Sequence, residues 1–193
     1  MKSNTSTVTL LHRLVSDAQQ REQVFVAVAA KEEFGYSFRE APASLVLLIA
    51  RELDGKKLPF ELSDFHVSIR GEKLNTPTPL RTCEATVKVV VRGAQHHRVS
   101  DGKGPVAALD AALHLALDEI FSRLKDVRLT DYSVRLVDNT GGAASKTVVS
   151  IEFSDGTDAW NVAGVSEDLV EASLLALIDG YEYALLPVMS KVA

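Results

Sequence analysis

The spacing of apolar side chains changes once along the chain. Across residues 8–53 they recur at intervals of three and four, the period of a helix with one buried face. Leu11, Leu14 and Val15 form a first short cluster. Ser16-Asp17 then offers a side-chain cap for a helix from Ala18 to about Phe34, and Gly35 ends it. A third helix is expected near Pro42 to Leu53, with Leu45, Leu48, Ile49 and Leu53 on one side and Asp54-Gly55 as its stop. Lys56 to Pro59 reads as a linker.

From Glu61 onward the period becomes two. Phe65, Val67 and Ile69 alternate with polar residues and predict a strand. The proline-interrupted stretch Asn75 to Pro79 predicts a loop. Thr82 to Arg92 predicts a long strand with Ala85, Val87, Val89 and Val91 on one face. A turn at Gly93-Ala94 leads into a third strand, Gln95 to Ser100. A helix over 105–124 follows, opened by Pro105, with Val106, Leu109, Leu113, Leu117, Ile120 and Leu124 as its buried stripe.

The same plan then recurs. Asp64-Phe65-His66-Val67-Ser68-Ile69 has a counterpart in Asp131-Tyr132-Ser133-Val134-Arg135-Leu136. Strands are expected over Tyr132–Val137, Lys146–Phe153 and Ala159–Val162, with turns at Thr140-Gly141-Gly142 and Asp155-Gly156. The last helix is expected to start on Ser166 as cap, with Val170, Leu174, Leu177, Tyr181 and Leu185 along its apolar side. An internal repeat of this kind fixes the fold class before any single residue is weighed. The expectation is an α+β fold of two β-β-β-α units about a pseudo-twofold axis, preceded by a small helical linker subdomain. Its boundaries are 1–59 for the helical part and 60–193 for the duplicated domain.

Composition narrows the function classes. A net charge of −5 gives no basic footprint for nucleic acid or an anionic membrane. The single cysteine, Cys83, excludes an internal disulfide and fits a reducing compartment, so a cytoplasmic location is expected. The longest apolar run, Leu45 to Ala50, is too short to span a bilayer. The N-terminus lacks the apolar core of a signal peptide.

No catalytic constellation emerges from the sequence. His96-His97 are adjacent on a strand and point to opposite faces, and His12, His66 and His114 are scattered, so no metal and no cofactor is expected. Cys83 has no histidine near it in sequence and reads as a structural thiol. Gly102-x-Gly104 lacks the remainder of a phosphate-binding fingerprint. It either shapes a turn or leaves a helix N-terminus open to an anion such as a carboxylate. The same helix start resembles that of a double-stranded-RNA-binding domain, but Pro105, Val106 and Ala107 stand where that module needs lysines.

Several motifs in order carry a wider resemblance. They are Glu32-x-x-Gly35-Tyr36-x-Phe38, Glu84-Ala85-Thr86-Val87-Lys88-Val89, Gly102-x-Gly104-Pro105-Val106, Leu129-Thr130-Asp131-Tyr132 and Gly142-Ala143-Ala144-Ser145-Lys146-Thr147. The most specific runs from Trp160 through Gly164-Val165-Ser166-Glu167-Asp168 to Glu182-Tyr183. Together they resemble the C-terminal part of the citramalate synthases, relatives of 2-isopropylmalate synthase.

The resemblance implies a helical linker and an allosteric, dimer-forming domain that in those enzymes follow a catalytic TIM barrel. The parent reaction would condense acetyl-CoA with pyruvate. This chain would hold no catalytic residue. Its effector would be isoleucine, or alternatively leucine, at a homodimer interface. The carboxylate would meet Gly102, Gly104 and Ala107. The side chain would fill a pocket of Val106, Leu129, Tyr132, Ala143 and Ala144, with Glu167 as a further polar contact. The pattern departs from the family at Ala107 and Ala143. An assembly module that retains no effector is the reading from a different class.

Overall fold

A computed structural model describes residues 5–54, 59–72, 80–137 and 145–186. The chain runs α1 (Thr5–Leu14), α2 (Ala18–Phe34), α3 (Pro42–Asp54), β1 (Glu61–Glu72), β2 (Leu80–Val91), β3 (Ala94–Gly102) and α4 (Pro105–Leu117). After a short 3-10 turn at Ser122–Asp126 come β4 (Arg128–Leu136), β5 (Thr147–Ser154), β6 (Ala159–Ser166) and α5 (Leu169–Leu185). Two three-stranded antiparallel sheets result, β1-β2-β3 and β4-β5-β6, each followed by a helix. The duplication expected from sequence is therefore present, with a helical part before it. The loop expected at 75–79 and the turn at 140–142 lie outside the described residues.

Two compact units divide the chain: residues 58–126 form one, and residues 1–57 with 127–193 form the other. In the first, Ala85, Val87, Val89 and Val91 line one face of β2 and are buried. Ala108, Leu109, Ala112, Leu113, Ala116 and Leu117 of α4 are buried with them. The β2–β3 turn is Arg92-Gly93, both at positive φ (51° and 84°), one residue earlier than the sequence suggested. Two successive positive φ values make the tight hairpin whose twist matches its strands. Helix α4 also stops sooner than expected, at Leu117. Leu124 is still buried, from the 3-10 turn, whereas Ile120 is only half-buried.

In the other unit the helical part joins the second repeat. Asp17 caps α2 by accepting from the Gln20 N–H at 2.8 Å. Gly35 closes it at φ 126°, a conformation open to glycine at little cost. Leu11, Val15, Val24, Val28, Phe38, Leu45 and Leu48 form the helical core. Helix α5 lies between its sheet and α3, which accounts for its burial on more than one side. An aromatic cluster fixes it to the sheet: Phe153 stacks on Trp160 at 6.1 Å and meets Tyr181 at 5.5 Å. The Trp160 indole N–H donates to the Gly180 carbonyl at 3.1 Å.

The two sheets agree in a fine detail. β1 carries a bulge between Leu62 and Asp64, and β4 one between Leu129 and Asp131. In each, the bulged hydroxyl donates to the carbonyl across the ladder: Ser63 to Lys88 at 3.0 Å and Thr130 to Glu152 at 3.2 Å. This anchors the register of the repeat. Cys83–Gly102 in the first sheet corresponds to Thr147–Ser166 in the second, and Lys88–His97 to Glu152–Asn161.

Candidate functional site: the helix starts of the two repeats

The matched registers make the start of α4 equivalent to the start of α5, position by position. Gly102, Gly104 and Ala107 correspond to Ser166, Asp168 and Glu171. In the second repeat all three are polar and satisfied. Asp168, the N-cap, accepts from the Glu171 N–H at 2.8 Å. The Ser166 hydroxyl accepts from the Asp168 N–H at 3.1 Å and bonds the Glu171 carboxylate. The cap is therefore Asp168 and not Ser166, which is the last residue of β6. The β6 pairing extends past Val162 and carries Ser166 into the ladder.

In the first repeat the same three positions have no polar side chain. Gly104 is the N-cap, with no side-chain cap hydrogen bond and Pro105 next. The first intrahelical bond is Ala108 N–H to Gly104 C=O at 3.0 Å. The N–H groups of Val106 and Ala107 precede that bond and point out of the helix end, where the peptide dipoles favour negative charge. A Cβ built on Gly104 would meet nothing within 4 Å. Val106 is half-buried and Ala107 exposed. Four of the residues expected to bind an effector are thus gathered at one bare helix end.

Gly102 has a separate reason to be glycine. A Cβ there would lie 2.3 Å from the Ala108 nitrogen, so α4 rests directly on β3. The second repeat seats its helix two residues earlier on the strand: a Cβ at Gly164 would lie 2.0 Å from the Ala172 carbonyl oxygen. Ala108 and Ala172 are equivalent helix positions, so the same helical residue sits on a glycine in both copies. The earlier seat in the second copy leaves Ser166 its side chain and its capping role.

The remaining expected site residues belong to the other unit. Leu129 and Tyr132 lie half-buried on β4, opposite Phe153 and Ile151. The Tyr132 hydroxyl is 2.9 Å from the Ser173 hydroxyl of α5. Glu167 is exposed at the β6–α5 turn. Ala143 and Ala144 lie outside the described residues. Among the described residues no cluster of three or more His, Cys, Asp or Glu side chains is placed to hold a metal. Cys83 is buried, and burial raises its thiol pKa first, with the nearby Asp101 charge adding to the effect.

Sequence reasoning quoted Glu182 within a motif but did not assemble the charged group it belongs to. Asp179 and Glu182 of α5 are buried against α3. Arg51 donates to Asp179 at 2.8 Å and to Glu182 at 2.5 Å, and the Ser44 hydroxyl donates to Asp179 at 2.9 Å. The signal was available: two acids three residues apart inside the otherwise apolar run Leu174 to Leu185.

The match to known proteins follows this geometry. Residues 40–185 match the family model described as the LeuA allosteric (dimerisation) domain. The chain belongs to that family. This allosteric domain is 41% identical over 155 residues to the (R)-citramalate synthase of Aquifex aeolicus, with 80% of the chain and 29% of the relative covered. It is 40% identical over 157 residues to the (R)-citramalate synthase of Synechocystis, with 80% and 28% covered. A probable 2-isopropylmalate synthase of Methanopyrus kandleri is 28% identical over 160 residues, with 82% and 30% covered. The domain spans less than a third of the length of these curated relatives.

Proposed function

We propose that this chain is the C-terminal regulatory part of an (R)-citramalate synthase, that it binds isoleucine as feedback effector and that it forms a homodimer. The remainder of such an enzyme would be the catalytic barrel condensing acetyl-CoA with pyruvate in the cytoplasm. The relatives with the higher identities carry the citramalate synthase name, which favours isoleucine over leucine. The observation that carries the effector reading is the bare start of α4. The second repeat fills the equivalent end with its own carboxylates, and the first leaves backbone donors facing outward.

An amino-acid carboxylate is a suitable occupant for such an end. The effector's aliphatic group would lie against the half-buried Val106 of the same helix start. Dimer formation has support in the first strand of each repeat. Phe65 and Ile69 on β1, and Val134 and Leu136 on β4, share a face with buried neighbours yet are 38%, 63%, 46% and 57% exposed. Apolar surface left open in this way is typical of an association face. No helix among the described residues is long and apolar enough to cross a membrane.

Calorimetric titration with isoleucine and with leucine tests the reading. The expected result is heat with isoleucine at concentrations up to about millimolar, weaker heat with leucine, and loss of both in Gly104→Asp. Absence of heat for both amino acids would overturn the sensor reading and leave the assembly module.

A further inference from the structure

The charged group between α3 and α5 has a composition that ordinary structural ion pairs avoid. Two carboxylates, one helical turn apart on α5, share a single guanidinium. The Asp179 side chain is 12% exposed and that of Glu182 only 1%. Both contacts use the same Arg51 terminal nitrogen. The partners are unequal. Asp179 accepts from Arg51 with one oxygen and from Ser44 with the other, and Ser44 in turn accepts from the Ala163 N–H at 3.0 Å. Glu182 has Arg51 on one oxygen, while its other oxygen and the Arg51 Nε are buried without a partner.

We propose that Arg51, Asp179 and Glu182 form a proton-gated latch holding α3 against α5, closed while the two carboxylates carry one negative charge between them and loosened when they carry two. The satisfied member, Asp179, keeps the charge. The half-satisfied member, Glu182, takes the proton. A buried carboxylate with an orphaned oxygen costs least when neutral. Proton exchange with solvent passes by Arg51, whose side chain is 35% exposed. Among the described residues, Lys31 of α2 lies within electrostatic reach of Asp179, and the Tyr36 hydroxyl, between α2 and α3, feels both Asp179 and Arg51.

Burial raises the Glu182 pKa to about 7 against the pull of Arg51, and burial raises that of Asp179 as well. An acid whose folded pKa lies above its unfolded value of 4.5 contributes stability that is complete below 4.5. That stability is lost as pH rises through the folded value of about 7. The latch therefore weakens across neutrality. This inference rests on the geometry of one unit and holds whether or not an effector binds elsewhere.

Trp160, the sole tryptophan, reports on it, because its indole N–H is held by Gly180 between the two acids on α5. The test follows Trp160 emission and thermal melting of the full chain from about pH 5 to about pH 9, with amide exchange of α3 corrected for its intrinsic pH dependence. The wild type should show a fluorescence transition centred near 7, a melting temperature that falls through it, and weaker α3 protection on the alkaline side. Glu182→Gln should abolish all three changes. A transition that survives Glu182→Gln overturns the latch. So does α3 protection in the wild type that is indifferent to pH, which decides the matter should the variant fail to fold.

Discussion

The two repeats use one plan and finish it differently. The first is aliphatic and uncapped, and Leu115 on α4 is 52% exposed. The second carries an aromatic cluster, a polar cap and a helical cover over α5 that buries Asp179 and Glu182. The equivalent of Asp179 is Leu115, and that of Glu182 is Asp118, which pairs with His114 on its own helix at 2.9 Å. Duplication thus produced two modules of one architecture, with one elaborated for anchoring and the other left with an open helix end.

The largest way to break this contrast is at Arg51. Arg51→Met leaves two buried carboxylates without their cation, and should cost the second repeat about 3 kcal/mol near neutral pH. Residue-resolved hydrogen exchange should show β5 and α5 losing protection while β2 and α4 keep theirs. The loss should shrink toward about pH 5, where the acids can neutralise themselves.

Next comes the helix seat. Gly102→Ala forces a methyl against the α4 backbone, and about 2 kcal/mol of destabilisation is expected by denaturant unfolding. Gly104→Ala, two residues on, meets open space at φ −167° and should cost about 1 kcal/mol or less, the value of an N-cap preference. Equal costs at the two sites would contradict the close contact described for Gly102.

Removing the cap of α5 with Asp168→Ala should cost about 1 kcal/mol. The smallest effect on stability is the most informative for function. Gly104→Asp gives α4 the cap its sister helix has, and should change stability by only a few tenths of a kcal/mol. It should nevertheless abolish isoleucine binding, because its carboxylate would occupy the helix end in place of the ligand. A variant that binds isoleucine as the parent does would move the effector site away from α4.

Much of this architecture was legible in the chain. The change of period at Glu61, the Asp-anchored repeat, the cap at Asp17 and the stop at Gly35 all follow from local chemistry, and the structure places them where expected. Shifts of a few residues arose where two local signals competed. Ser166 has the chemistry of a cap, but pairing with Thr147 claims its backbone for the sheet, so the cap passes to Asp168. The helix expected to reach residue 124 ends at Leu117, and Leu124 keeps its place in the core from a 3-10 turn.

The two acids stood out in an apolar run, but their cation did not: Arg51 lies 128 and 131 positions away, and only packing of α3 on α5 brings it to them. Of the candidate site, the helix-start residues could be named individually. Their contrast with Ser166, Asp168 and Glu171 required the strand register.

The bulge shared by β1 and β4 has a consequence for assembly. Among the described residues each first strand is one rim of its sheet, with a row of backbone groups that could recruit another chain. An extra residue twists that rim, and in β1 the Lys88–Asp64 ion pair at 2.6 Å sets charge beside it. Rim-to-rim growth into open-ended fibrils is discouraged.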